Sequence, residues 1–189
     1  MIEFDAIILA GGRGSRLGGL RKPELALDGR RLVDRALAAV AAARRVVVVG
    51  DAEVPQGVPQ TREDPPYGGP VAAVAAGMDH LVEHAEWTLV LASDLPEAEA
   101  AVAALLRVEP AGTDDGVCLL GPDDRLQWLL GYYRTAALRA RLSDRGDPPL
   151  TAMYRLVGPL RLRGVAAAPP LTADIDTPAD AEHWGVQLP

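Results

Sequence analysis

Three short apolar runs constrain the fold of this chain more than any other feature. They are "FDAIILA", "RRVVVVGD" and "WTLVLASDLP", and charged residues, glycine or proline bound each of them. A strand that is buried on both faces has this continuous apolar pattern rather than an alternating one. Segments with helical spacing or helix-start signals follow them, namely "RRLVDRALAAVAAA", "GPVAAVAAGMDHL" and "EAEAAVAALLRV". The alternation predicts an α/β fold in which helices cover both faces of a parallel sheet.

The remaining segments have a less regular pattern. "VPQTRED" is a short strand candidate, "GVCLLG" and "LQWLLGYYR" predict strands joined by a hairpin-like turn at "PDDR", and "LRLRGV" predicts another strand. "TAALRARLS" predicts a helix, "TAMYRLV" fits a helix better than a strand, and "DRGDPP" predicts a loop. Thr177 with Pro178 after it predicts the start of a last helix. Because no repeat or linker interrupts the chain, we expect a single domain over residues 1–189.

Composition excludes several classes of protein. The net charge of −7 argues against nucleic acid as a partner, which needs a basic surface. No run of 18 uncharged apolar residues is present, so we expect no membrane span. The N-terminal "MIEFDAIILAGG" carries acids where an export signal carries basic residues, and Cys118 is the only cysteine. These features predict a cytoplasmic protein without an internal disulfide.

Lys22 is the only lysine in a chain with 18 arginines. The chain also lacks asparagine, and both biases are typical of a GC-rich genome, in which most lysines drift to arginine. A compact ammonium and a planar guanidinium bind phosphate differently, so they are not interchangeable at such a site. The retained lysine therefore indicates a role for Lys22 that arginine does not fill.

A glycine-rich loop follows the first predicted strand, in "AIILAGGRGSRLGGLRKPELAL". Its glycines can adopt backbone angles that let amides converge on an anion, while its arginines and Lys22 add positive charge. Two known phosphate loops do not fit. Gly14 is followed by Ser-Arg instead of the Lys-Ser/Thr of a Walker motif, and Leu17 stands where a dinucleotide fingerprint has its third glycine. The alternative is a solvated surface loop.

Carboxylates in two later segments are candidate metal ligands. Asp94 in "SDLP" follows a buried strand, where a carboxylate is placed to hold Mg²⁺ on the phosphates of a nucleotide. Asp174 and Asp176 in "DIDTPAD" share one side of an extended segment, with Ile175 behind them. Two such acids repel each other unless a cation or hydrogen-bond donors lie between them. The alternative for both segments is an acid that caps the following helix.

The segment "REDPPYGGP" is a candidate for nucleoside recognition. Asp64 ends a predicted strand, and the turn that contains Gly69 and Pro70 opens a helix. Backbone amides in such a turn can bind a base edge or a sugar. The alternative is an ordinary strand-to-helix connection.

Four blocks together resemble a known family. "LAGGRGSRLGGLRKPELAL", "REDPPYGGPVAAVAAGM", "ASDLP" and "DIDTPAD" occur in the order found in the molybdenum cofactor guanylyltransferase family, and the resemblance extends from Ile7 to about Ala181. It implies a Rossmann-like three-layer α/β sandwich with a mostly parallel central sheet. It also implies transfer of GMP from GTP to molybdopterin or Mo-molybdopterin, with Mg²⁺ as cofactor and pyrophosphate as the leaving group. We expect a monomer or a weak oligomer.

The same resemblance implies roles for individual residues. Catalytic roles fall to Arg16, Lys22 and Asp94, and the metal would be held by Asp94 and Asp176. The implied nucleotide-binding residues are Leu9, Ala10, Gly11, Gly12, Arg13, Gly14, Lys22, Asp64, Gly69, Pro70 and Asp94.

One departure from the family pattern keeps the base open. Family members usually have Asn-Ile-Asn or Asn-Val-Asn where this chain has Asp174-Ile175-Asp176, a form that resembles the related cytidylyltransferases. The paired glycines and the Gly-Pro turn resemble the guanine branch. A transferase that uses CTP or another acceptor such as a sugar phosphate, and a non-catalytic nucleotide-binding module, are therefore the alternatives. A nicotinamide-dependent reductase is disfavoured by the missing fingerprint.

Overall fold

The computed structural model describes residues 2–12, 17, 20–144 and 152–186. Its strands are β1 (Phe4–Ala10), β2 (Ala26–Leu27), β3 (Arg30–Arg31), β4 (Val46–Gly50), β5 (Gln60–Thr61), β6 (Trp87–Ala92), β7 (Gly116–Leu120), β8 (Leu126–Arg134) and β9 (Leu162–Ala166). Seven of them form one sheet in the order β5-β4-β1-β6-β8-β7-β9, while β2 and β3 form a separate short hairpin. In the large sheet only β8 runs antiparallel to its neighbours. The mostly parallel central sheet is confirmed.

Helices cover both faces of this sheet. They are α1 (Leu32–Ala39), α2 (Pro70–His80), α3 (Ala98–Leu106), α4 (Thr135–Ser143), α5 (Met153–Val157) and α6 (Pro178–His183). Side chains of β1 alternate between the two cores because successive residues of a strand point to opposite faces. Ile8 packs in the core that contains residues of α1 and α3, and Ile7 packs in the core that contains residues of α2, α4 and α5. The three-layer α/β fold is thereby confirmed.

Most local predictions are confirmed as well. β7 and β8 form the antiparallel hairpin expected around "PDDR", and the segment "TAMYRLV" contains the helix α5. Thr177 caps α6 by accepting from the Asp180 amide, and Pro178 is its first residue. Residues 145–149 of the predicted loop "DRGDPP" lie outside the described part of the chain. A single domain over residues 1–189 stays a prediction.

A third, smaller apolar cluster lies beside the main sheet. It joins Leu17, Leu25, Leu27 and Leu32, from the segment that contains the β2–β3 hairpin, to Ile175, Ala181 and Val186 near the C-terminus. No sequence pattern predicted the hairpin, because its strands have two residues each. The cluster brings segments more than 100 residues apart in sequence into contact. One segment carries Lys22 and the other carries Asp176.

The parallel strands β4, β1 and β6 end at the same edge of the sheet. Ala10 is paired with Gly50, and Leu9 is paired with Ala92. Ligands of open α/β sheets bind outside this carboxyl edge. Among the described residues, none of the helices is both long and apolar enough to cross a lipid bilayer.

Candidate active site

The chain turns sharply where β1 and β4 end. Gly12 has a φ of 129° and Gly50 a φ of 136°, a region that side chains rarely adopt. A Cβ on Gly50 would lie 2.4 Å from the carbonyl oxygen of Ala10, so only glycine lets the two strand ends lie this close. The first residues of the glycine loop are therefore held open at the edge of the sheet. The loop residues Arg13, Gly14 and Arg16 lie outside the described part of the chain.

Lys22 is brought to the same edge by a short 3-10 helix over Lys22–Glu24. Its Nζ lies 3.3 Å from Oδ2 of Asp94, two residues beyond β6, and also donates a hydrogen bond to Oδ1 of Asp176. Burial opposes the charged ammonium, but the hydrogen bond to Asp176 and the charge of Asp94 outweigh it and raise the pKa of Lys22. The lone lysine is thus a cation placed between two carboxylates far apart in sequence.

Three carboxylates converge around this ammonium. Asp94, Asp174 and Asp176 each offer an oxygen, and these oxygens lie within 4.8 Å of one another. The amide of Ile175 donates to the carbonyl of Asp94 at 3.1 Å, and the Ile175 side chain is fully buried. This backbone bond holds the Asp-Ile-Asp segment against the end of β6 and turns both of its acids toward Asp94.

The electrostatics of the cluster favour a bound cation. Burial raises the pKa of Asp94, although the charge of Lys22 offsets part of that effect. Burial, followed by the charges of Asp94 and Asp176, also raises the pKa of Asp174. Hard carboxylate oxygens at this spacing are the donors that Mg²⁺ prefers, so the residues present fit such an ion. Asp174 lies beside the two predicted ligands and offers a third carboxylate oxygen.

A cavity of about 440 Å³ extends from this cluster along the edge of the sheet. It brings together most of the predicted nucleotide-binding set, namely Leu9, Gly11, Gly12, Lys22, Gly69, Pro70 and Asp94. Ala10 does not line it, because its side chain is buried in the core on the other side of β1.

Asp64 is not brought to this cavity either. It is exposed and lines a separate surface cavity with Arg62 and Asp79. Its neighbour Glu63 is buried and lines the 440 Å³ cavity in its place. Adjacent residues of an extended segment point to opposite sides, so only one of these two adjacent acids can face the cavity. This alternation was the signal in the sequence that could have drawn attention to Glu63.

A second, larger cavity of about 1010 Å³ meets the first at Asp94. The two share Pro70, Ala92, Asp94 and Leu129. The larger one is lined by Trp128 of β8 and Tyr154 of α5, whose ring centroids are 6.0 Å apart, and by Asp174. The acidic cluster thus lies at the junction of a smaller and a larger binding space.

This arrangement defines a class of protein: an α/β protein with a nucleotide-sized cleft at the carboxyl edge of its sheet and a carboxylate cluster beside it. The chain belongs to the family described as MobA-like NTP transferase domain, whose model matches residues 6–161. The predicted family resemblance is confirmed.

Individual relatives agree with this assignment. A molybdenum cofactor guanylyltransferase of Acidiphilium cryptum is 39% identical over 172 residues, which cover 87% of this chain and 80% of that protein. Molybdopterin-guanine dinucleotide biosynthesis protein A of Archaeoglobus fulgidus has a similar fold, with a TM-score of 0.71, 20% identity and coverage of 95% and 96% of the two chains. A cytidylyltransferase of Thermus thermophilus acting on methylerythritol phosphate has a TM-score of 0.68, 21% identity and coverage of 97% of both chains. At such identities the two solved structures show the fold alone.

Proposed function

We propose that this protein transfers GMP from GTP to a molybdopterin-type acceptor and releases pyrophosphate. The observation that carries the proposal is the placement of Lys22 and the three carboxylates at the junction of two cavities. A transfer between two anionic substrates needs such a junction, because donor and acceptor must meet at one phosphorus atom. The 39% identity to a molybdenum cofactor guanylyltransferase supports the choice of substrates.

The smaller cavity accommodates the nucleotide. Its edge carries the open backbone of Gly11 and Gly12, whose amides suit phosphate oxygens, and Lys22 at the cluster. The larger cavity suits a bulky acceptor with a flat ring system, because Trp128 and Tyr154 offer an aromatic wall. Asp94 lies where the two ligands meet.

The reaction is an in-line displacement at the α-phosphorus of GTP. A terminal phosphate oxygen of the acceptor forms the new bond to phosphorus, and the bond to the β-phosphate oxygen breaks. The electron pair of that bond leaves with pyrophosphate. Positioning and charge neutralisation supply most of the acceleration in such transfers. Lys22 provides a positive charge where negative charge develops. Arg16 is proposed to add a second one.

The carboxylate cluster would hold Mg²⁺, which when bound supplies positive charge against the negative charge of the phosphates. The side chains that would hold it are Asp94, Asp174 and Asp176. With a triphosphate in the cleft, we expect the Lys22 ammonium to exchange carboxylate partners for phosphate oxygens. That exchange leaves the carboxylate oxygens available to the ion.

The test is pyrophosphate release from GTP and from CTP, each with and without molybdopterin. We expect release that needs GTP, Mg²⁺ and the acceptor together. Preference for CTP would favour the cytidylyltransferase alternative that the Asp174-Ile175-Asp176 sequence leaves open. GTP binding without release in the presence of any acceptor would favour a non-catalytic module.

We also propose a cytoplasmic enzyme that is a monomer or a weak oligomer and does not bind nucleic acid. The net charge of −7 supports the last point, and the single cysteine, buried in β7, is compatible with a reducing compartment. Light scattering at several protein concentrations would test the oligomeric state.

A further inference from the structure

Glu63 lines the same nucleotide cavity as Asp94 of the carboxylate cluster. It follows β5 by two residues, just as Asp94 follows β6 by two residues. β5 and β6 are three strands apart in the sheet, which corresponds to roughly 14 Å. A nucleotide whose phosphates lie at Asp94 therefore extends its base toward Glu63, beside the turn that contains Gly69 and Pro70.

The carboxylate of Glu63 has unused acceptor capacity. Only 8% of the residue is exposed, and its Oε1 accepts from the Tyr67 amide at 3.0 Å. Among the described residues, the Tyr67 amide is the only hydrogen-bond donor to this carboxylate, and no cationic side chain forms an ion pair with it. Because Glu63 lines the cavity, a ligand bound there can donate to the acceptor sites that the protein leaves unused.

We propose that Glu63 selects the base of the nucleotide by accepting hydrogen bonds from guanine. This inference rests on the proposed use of GTP and adds the residue that discriminates. Guanine presents two neighbouring donors, N1–H and the N2 amino group, and these match the two oxygens of a carboxylate. Cytosine presents one donor beside acceptor atoms, and those acceptors face the carboxylate unfavourably. Glu63 thus favours guanine even though Asp174-Ile175-Asp176 resembles the cytidine branch.

The experiment measures equilibrium binding of GTP, ITP, XTP and CTP, each with Mg²⁺, by titration calorimetry. Hypoxanthine in ITP lacks the N2 amino group, and xanthine in XTP has a carbonyl oxygen there. For the wild-type protein we expect ITP to bind roughly 10- to 100-fold more weakly than GTP, as a lost hydrogen bond to a charged group predicts. XTP and CTP should bind at least as weakly as ITP.

The variant Glu63→Gln tests the contact between Glu63 and the base directly. The glutamine can keep its oxygen on the Tyr67 amide and places an amino group where Oε2 was. That amino group repels the guanine N2 amino group and donates to the xanthine carbonyl, so we expect the preference to invert toward XTP. Glu83→Gln is the matched control, since Glu83 is an exposed residue paired with Arg45. It should leave all four affinities unchanged.

Equal binding of GTP and ITP by the wild-type protein would overturn the inference, and this arm needs no variant to fold. A folded Glu63→Gln protein with the wild-type GTP-to-XTP ratio would also overturn it. Pyrophosphate release separates the two proposals. Release from GTP together with equal ITP binding refutes only the role of Glu63, whereas binding of none of the nucleotides refutes both.

Discussion

Replacing Lys22 by methionine separates the charge of its ammonium from the packing of its side chain. Methionine has a similar length and flexibility, so it can follow the same path along the cleft without the positive charge. Two contacts are lost, the one to Asp94 at 3.3 Å and the hydrogen bond to Asp176. The change therefore affects both the folding free energy and the proposed transfer, and the two effects differ in size.

The cost to folding should be modest. A hydrogen bond between charged groups contributes about 1.5–3 kcal/mol when well buried. The side chains of Lys22, Asp94 and Asp176 are 21%, 23% and 33% exposed, so water screens the pairs. Burying the ammonium also carries a desolvation cost that the variant avoids. We expect a net loss of about 1–2 kcal/mol, which leaves a protein of ordinary stability folded.

The cost to catalysis should be larger. Removing one preorganised group that stabilises developing charge typically lowers turnover about 100- to 1000-fold. Pyrophosphate release measured at saturating GTP, alongside a thermal melt of the same sample, compares the two effects directly. Mg²⁺ should raise the melting temperature of Lys22→Met more than that of the wild type, because no ammonium then competes for the carboxylates.

Two control variants accompany Lys22→Met in this test. Lys22→Arg keeps the charge but not the compact shape, so we expect turnover between the wild type and Lys22→Met. Arg21→Met removes an adjacent positive charge that pairs with Asp51 at 3.7 Å, and we expect little change. A Lys22→Met enzyme with turnover within about threefold of wild type would refute the reasoning, since the loss expected for such a group is far larger.

Three further predictions concern other parts of the molecule. Asp94→Asn should lower turnover roughly 100-fold or more and raise the Mg²⁺ concentration needed for half-maximal rate; unchanged magnesium dependence would exclude Asp94 as a ligand. Trp128→Ala should raise KM for the acceptor about tenfold with KM for GTP unchanged, whereas a parallel rise in both would contradict an acceptor wall. Hydrogen bonds from Arg161 lower the pKa of Asp115 to about 2, so this carboxylate stabilises the fold above its usual pKa of 3.8 and loses that effect as pH falls toward 2. Asp115→Asn should therefore unfold at lower urea concentration than wild type at pH 7, with a gap that narrows below about pH 4; a constant gap would contradict the pair.

Much of the fold could be predicted from local patterns. The continuous apolar runs of β1, β4 and β6 identified strands buried on both faces. A mostly apolar helix begins at Pro70, the last residue of "REDPPYGGP". These patterns repeat over five or more residues, so they are robust to single exceptions. The β2–β3 hairpin escaped prediction because two-residue strands carry no periodic pattern.

Only part of the candidate site could be predicted from the sequence. Lys22 and Asp94 were identifiable from the chain, one as the only lysine and the other as a carboxylate directly after a buried strand. The distance of 3.3 Å between Lys22 Nζ and Asp94 Oδ2 could not be predicted, because it depends on the packing of segments 72 residues apart. The small apolar cluster around Leu25 and Ile175 holds these segments together, and no short stretch of sequence encodes it.

The sequence by itself therefore determined the layers, the edge of the sheet at which a ligand binds, and the kinds of side chain present there. Only the tertiary structure decided which acids face the cavity. Glu63 points inward and Asp64 outward, and Asp174 joins Asp94 through a backbone bond from Ile175. The physical reason is that alternation predicts opposite directions for adjacent residues, whereas the choice of the inward one depends on how the chain leaves the strand and what packs against it.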